Sequence, residues 1–126
     1  MEIKKVNVHE ALTCGLEEDI VEIAKKLESE KERRIFVIDG DEKVKGIITT
    51  TDLVYKALAE KAIDKKAKDV MTDKVRCVDI KEDLEKALGI MNELKTFNCP
   101  VVDDGKLIGL VAYHDIVGHV ISSVEK

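Results

Sequence analysis

The sequence is written twice, and the two copies agree in order as well as in kind. Asp19-Ile20 and Asp83-Leu84 each open an amphipathic stretch. Ile20, Ile23, Ala24 and Leu27 in one, and Leu84, Ala87, Leu88 and Met91 in the other, keep the i, i+3, i+4, i+7 spacing of a half-buried helix. Each stretch is followed by an apolar run ending in Asp, Ile35-Phe36-Val37-Ile38-Asp39 and Cys99-Pro100-Val101-Val102-Asp103. Turn residues come next, Gly40-Asp41-Glu42-Lys43 against Asp104-Gly105-Lys106. A second apolar run follows, Val44-Lys45-Gly46-Ile47-Ile48 against Leu107-Ile108-Gly109-Leu110-Val111. Both copies then begin another helical pattern, at Asp52-Leu53-Val54 and Asp115-Ile116-Val117. The offset is 64 residues through Asp39 and Asp103 and 63 at Gly46 and Gly109, because the first turn carries one extra residue.

Short apolar runs between turn signals read as strands. Each copy therefore predicts a short strand (near Leu12–Cys14 and near Arg76–Val78), a helix (about Glu18–Glu30 and Glu82–Lys95), a two-stranded hairpin and a final helix. The fold class is α+β (mixed α/β), two tandem βαββα units with small mixed sheets, divided at 1–62 and 63–126. A unit of this size buries only ~60% of its unfolded surface, so the two are expected to share a core. Ala57–Lys68, rich in Ala, Lys and Glu, extends the first copy's last helix into the connection, and Pro100 opens a strand, where a missing N–H is tolerated.

Composition removes several functions. At 44% hydrophobic and 37% charged, the 126-residue chain is that of a folded protein, not a disordered one. Aromatics make up 3% with no Trp, which leaves no base-stacking platform, and a net charge of −5 offers no phosphate-backbone footprint. Nucleic acid is not an expected partner. No apolar run reaches the ~20 residues that span a bilayer. The N-terminus, Met1-Glu2-Ile3-Lys4-Lys5-Val6, has no signal-peptide core, so no membrane partner is expected. Cys14, Cys77 and Cys99 are odd in number and widely spaced, reading as reduced thiols in a cytoplasmic protein. His9, His114 and His119 lack metal-ligand spacing, and no nucleophile has a recognisable base, so neither a metal site nor an enzyme is expected.

The βαββα order, its recurrence, and Gly46-Ile47-Ile48-Thr49-Thr50-Thr51-Asp52 resemble a CBS domain pair, or Bateman module, here standing alone. The second copy supplies Gly109-Leu110-Val111-Ala112-Tyr113-His114-Asp115, and Asp69-Val70-Met71-Thr72 is similar to the family's lead-in to a repeat. The resemblance covers essentially the whole chain. It implies two repeats related by a pseudo-twofold with two clefts between them. It further implies a regulatory ligand containing adenosine (AMP, ADP, ATP or S-adenosylmethionine), a homodimer, and a regulated protein that the sequence does not name. In that pattern the motif Asp accepts from the ribose hydroxyls, the Thr residues three and one positions earlier reach the ribose or phosphate, and the other copy's first strand walls the adenine.

The residues themselves allow this chemistry without requiring it. The Asp52 carboxylate, an acceptor with two oxygens, can meet two adjacent hydroxyls where a strand hands over to a helix. The plainer reading is that Asp52 or Thr51 caps the helix beginning at Leu53, and both roles are compatible. Thr49 and Thr51, taken at strand spacing, share one face; they are equally ordinary strand residues. In the second copy Ala112 and His114 replace them, so the Asp115 site is expected to be weaker, with His114 either a phosphate contact or a structural histidine. The chain's three arginines, Arg33, Arg34 and Arg76, all fall at segments expected to line one cleft, and a guanidinium fork suits phosphate. Arg33 and Arg34 also suit the helix end before them. The matched positions Phe97 and Asn98 are uncharged, which predicts unequal sites, the phosphate-tolerant one at Asp52. Met71, Cys77, Val78, Ile35 and Ile48 are the candidates to flank adenine, or plain core. The competing reading from another class is an unliganded dimerisation or scaffolding module.

Overall fold

The computed structural model describes residues 1–125, the side chains of Lys5 and Glu125 excepted. In chain order a 3-10 turn, Ile3–Lys5, precedes β1 (Val8–His9), β2 (Thr13–Gly15), α1 (Ile20–Glu30), β3 (Arg34–Ile38), β4 (Val44–Thr49) and α2 (Thr50–Leu53). A π-helical turn, Val54–Leu58, continues α2; then come α3 (Ala67–Val70), β5 (Val78–Asp79), α4 (Leu84–Leu94), β6 (Asn98–Asp103), β7 (Lys106–Ala112) and α5 (Tyr113–Glu125). The architecture is mixed α/β, with two small mixed sheets. One sheet has the order β2-β3-β4 and the other β1-β7-β6-β5. In each, a short strand runs parallel to the first hairpin strand, β2 beside β3 and β5 beside β6, and the hairpin itself is antiparallel.

The chain forms two compact units, Leu12–Val75 and a second made of Met1–Ala11 with the chain from Arg76 onward. The segment preceding a copy's first strand therefore belongs to the other unit. Within Leu12–Val75, Thr72 exchanges backbone hydrogen bonds of 2.9 Å with Ile47 on the free edge of β4. Within the second unit, Val8 and His9 pair with Val111 and Leu110 on the matching edge of β7. The same segments close the first turns of the long helices. Ile20 N donates to Lys65 O (3.1 Å), and Leu84 N donates to Met1 O (2.8 Å). Neither Asp19 nor Asp83 makes a side-chain cap; their carboxylates pair instead with Lys66 Nζ and the Met1 amino group of the same crossing segments.

Each unit has its own core. Ile20, Ile23, Leu27, Ile35, Val37, Ile48 and Val70 fill one; Ile3, Val6, Val78, Leu84, Met91, Val101, Val111 and Ile116 fill the other. The helical periodicities selected the buried positions, since Ile20, Ile23 and Leu27, and Leu84, Ala87 and Met91, all face inward. Both long helices start two residues later than expected. Glu18 and Glu82 stand in a preceding turn, where their carboxylates accept from Gly15 N (3.2 Å) and Asp79 N (3.0 Å). Both helices end on a lysine in the left-handed conformation, Lys31 (φ 55°) and Lys95 (φ 56°).

Three local expectations need correction. The second copy's first strand starts at Val78, not Arg76. In the first copy Phe36 N donates to Leu12 O at 2.9 Å. The residue in the matched place is Pro100, which has no N–H to give, so pairing begins further along. Pro100 lies inside β6 instead of opening it. Finally, Ala57–Lys68 is not a continued helix: the π turn ends at Leu58, and a new short helix begins at Ala67.

Candidate functional site

In the unit Leu12–Val75 the chain passes from β4 to α2 at Thr49. Its hydroxyl accepts from Asp52 N (3.1 Å), and Asp52 Oδ2 accepts from Thr49 N (2.9 Å), a reciprocal capping box. Thr51 lies in the helix with its side chain exposed, so the strand spacing that paired it with Thr49 does not apply. The other carboxylate oxygen, Asp52 Oδ1, meets Lys56 Nζ at 3.2 Å. Arg34 is the cross-strand partner of Thr49, which puts a guanidinium-bearing residue beside the cap. Arg33 is exposed just before β3, and its carbonyl accepts from Thr50 N at 3.0 Å. Met71 lies on Gly46 so closely that a Cβ there would stand 2.5 Å from its sulfur. Ile35 and Ile48 are fully buried in the core of this unit, which makes them support for the site and not surface. Thr49, Asp52 and Arg34 are thus gathered at the end of β4, and Met71 lies further back along the strand, against Gly46.

A hollow of about 640 Å³ in the same unit lies elsewhere. Thr13, Cys14, Glu18, Lys26, Ile38 and Asp39 line it at the opposite end of β3 from Arg34. There Lys26 Nζ bonds Glu18 Oε1 at 2.7 Å, and Asp39 is held below the usual carboxylate range by N–H groups of Lys43 and Asp41 and by Lys45.

The second unit repeats the strand-to-helix step with different partners. Asp115, in the first turn of α5, accepts from or pairs with His9 Nε2 at 2.5 Å, and His114 Nε2 lies 3.4 Å from its other oxygen. The His9 hydrogen bond, with help from the charges of both imidazoles, lowers the Asp115 pKa. His114 is otherwise exposed. Asn98 opposes Ala112 across the hairpin, in the places of Arg34 and Thr49. Phe97, in the place of Arg33, is exposed and meets the Tyr113 ring edge-on.

Arg76 and Cys77 precede β5 in this second unit. The exposed Arg76 guanidinium bonds Glu93 Oε2 on α4 at 2.7 Å. Cys77 is half-buried, and Val78 is core. Burial pushes the Cys77 thiol up to about 11 and Cys14 and Cys99 to about 12. Thiols so protonated are poor nucleophiles and metal ligands. Among the described residues no group of three or more His, Cys, Asp or Glu is arranged to hold a metal ion, and no helix is long and apolar enough to cross a membrane.

A model of the CBS domain matches the chain twice, over residues 3–59 and 67–122. The chain belongs to the CBS domain family. This CBS pair is 32% identical over 114 residues to inosine-5'-monophosphate dehydrogenase of Methanocaldococcus jannaschii, covering 90% of the chain and 22% of that enzyme. It is 31% identical over 118 residues to an uncharacterized protein of Methanopyrus kandleri, covering 91% of the chain and 60% of that protein. The chain thus spans less than two thirds of these relatives' length. Among solved structures it resembles the CBS domain pair of protein MJ0100, in complex with 5'-methylthioadenosine and S-adenosyl-L-methionine. That match has 26% identity and a TM-score of 0.73, over 98% of both chains.

Two residues of this CBS pair that engage the motif aspartates were missed in the sequence. Lys56 carried a usable signal, since Asp52 and Lys56 have the i, i+4 spacing of a helical ion pair. His9 carried none, because 106 residues separate it from Asp115 and only the β1–β7 pairing joins them.

Proposed function

We propose that this CBS pair is a regulatory module that senses an adenosine-containing nucleotide of the AMP, ADP or ATP type, with Asp52 reading the ribose diol. The observation that carries the reading is the meeting of Asp52, Thr49 and Arg34 at one end of β4. A carboxylate with lone pairs to spare suits vicinal hydroxyls, and the Arg34 guanidinium suits a phosphate. Thr51 and Arg33, both exposed nearby, complete the proposed contacts, and Met71 offers a polarizable apolar surface to a purine. Asp115, His114 and Asn98 form the weaker counterpart, where Ala112 and Asn98 bring neither the hydroxyl of Thr49 nor the charge of Arg34. Signalling requires that the ligand prefer one arrangement of the module over another, which is how it would regulate an as yet unidentified protein. A homodimer and a cytoplasmic setting belong to the same reading.

Thermal shift with AMP, ATP, S-adenosylmethionine and NAD tests it. AMP or ATP should raise the melting temperature of the wild-type protein, less for Arg34→Ala and not at all for Asp52→Ala. A wild-type protein stabilised by none of them overturns the reading. A second reading, an S-adenosylmethionine-type ligand, is favoured by the occupants of the MJ0100 pair. It requires S-adenosylmethionine to outrank AMP in the same assay.

A further inference from the structure

The residue that bears most directly on Asp52 is Lys56. Its ammonium has three donors, and the structure gives it three acceptors: Asp52 Oδ1 at 3.2 Å, Val70 O at 3.1 Å and Thr72 Oγ1 at 3.5 Å. Its backbone is fixed as well. Lys56 stands in the π-helical turn, closed by Ala59 N to Val54 O (2.8 Å), and its carbonyl accepts from Lys65 Nζ (2.9 Å). The Lys56 side chain is nevertheless 43% exposed, against 16% for Asp52, so the pair is open to solvent on the lysine side. The longest of its three bonds, to the Thr72 hydroxyl, is the one an incoming anion would replace most readily.

From this geometry we infer that Lys56 is the ligand-selecting residue of the Asp52 site, favouring a phosphorylated adenosine and disfavouring a sulfonium. This inference rests on the adenosyl reading above and adds the charge class of the ligand to it. A bare carboxylate attracts a sulfonium as readily as it reads a diol. Lys56 cancels that attraction while leaving the diol-reading lone pairs on Asp52, and it joins Arg34 as a second cation on the same end of the unit. The sister step has no such device. His119 occupies the place of Lys56, and the partners of Asp115 are the imidazoles of His9 on β1 and His114.

The test compares three adenosyl probes that differ in charge, on the wild-type chain, Lys56→Gln and Lys56→Arg, by calorimetry. AMP is anionic, 5'-methylthioadenosine is neutral, and S-adenosylmethionine carries the sulfonium. Lys56→Gln should weaken AMP roughly tenfold, leave 5'-methylthioadenosine within about twofold and leave S-adenosylmethionine unchanged or tighter, while Lys56→Arg keeps AMP near wild type. Equal shifts for all three probes, as a merely structural role would give, overturn the inference. Because Lys56→Gln could fold poorly, the Lys56 side-chain NMR resonances of the wild-type protein are followed too; they should move with AMP and stay put with 5'-methylthioadenosine, and any other pattern counts against Lys56. If no adenosyl probe binds, the adenosyl reading falls. Pyrophosphate then decides the rest: stabilisation lost in Lys56→Gln upholds the anion preference, and none in the wild type overturns it.

Discussion

The two compact units solve one problem with different parts. Each lays a crossing segment on the outer edge of its hairpin, Thr72 on Ile47 in one and Val8–His9 on β7 in the other. Each presents an aspartate in the first turn of the next helix. They part at the charge that answers the aspartate. Asp52 pairs with the Lys56 ammonium of its own helix, whereas Asp115 pairs with the His9 imidazole of the crossing strand. Equivalent backbone positions thus yield one aspartate with a partner four residues along its own helix and one whose partner depends on a distant segment staying docked.

The glycines under the crossing segments give the largest handle on this difference. A Cβ at Gly109 (φ +154°) would stand 2.3 Å from His9 O, and one at Gly46 would stand 2.5 Å from the Met71 sulfur. The Met71 thioether can swing aside, leaving a smaller clash with its Cβ at 2.9 Å, whereas the paired backbone of β1 cannot move. Gly109→Ala should therefore cost about 4 kcal/mol and undock β1, against about 1–2 kcal/mol for Gly46→Ala. Chemical denaturation measures both, and equal costs would break the asymmetry. Next in size is Ile3→Ala, which gives the second unit the residue its sister has at the matched place, Ala67; both are fully buried. The loss should be about 3 kcal/mol, since the surrounding core is built around the larger side chain.

The smallest effect is electrostatic and sharpens the comparison most. The Asp115 pKa lies below its ordinary 3.8 in the folded state, chiefly through the His9 hydrogen bond. A depressed carboxylate pKa contributes stability that is complete above the unfolded value and lost as pH falls through the folded one. The stability gap between wild type and Asp115→Asn should accordingly be constant just above the ordinary carboxylate value and close below it. Carboxyl-carbon NMR should show the Asp115 titration move back up toward 3.8 in His9→Ala. An unmoved titration would mean that His9 does not hold this carboxylate.

Most of the fold was legible because it is local and stated twice. Periodicity chose the buried faces of α1 and α4, and the turn residues placed both hairpins. Some errors were local, as at Ala57–Lys68, and one arose where a hydrogen bond had to be counted across strands. Pro100 shortens β5 by withholding an N–H from a neighbour 24 residues earlier in the chain, which no window of sequence displays. At the candidate site the expected cap, Asp52 or Thr51 ahead of a helix at Leu53, is displaced: Thr49 is the N-cap of a helix that begins at Thr50, and Asp52 answers it from the third helical position. The arginines were visible only as residue types; that Arg34 faces Thr49 follows from β3–β4 register, and that Arg76 bonds Glu93 follows from how α4 lies beside the residues before β5.

The amino-acid order by itself determined that this protein is a pair of like units, each with a helix, a hairpin and an aspartate at a strand-to-helix step. Those features depend on spacings of a few residues, where side-chain periodicity and backbone capping act directly. Tertiary structure alone decided what each aspartate touches. A carboxylate takes its charge partner from whatever lies within a few ångströms, and chain pairing brought a histidine from the N-terminal strand to Asp115 while Asp52 kept the lysine of its own helix.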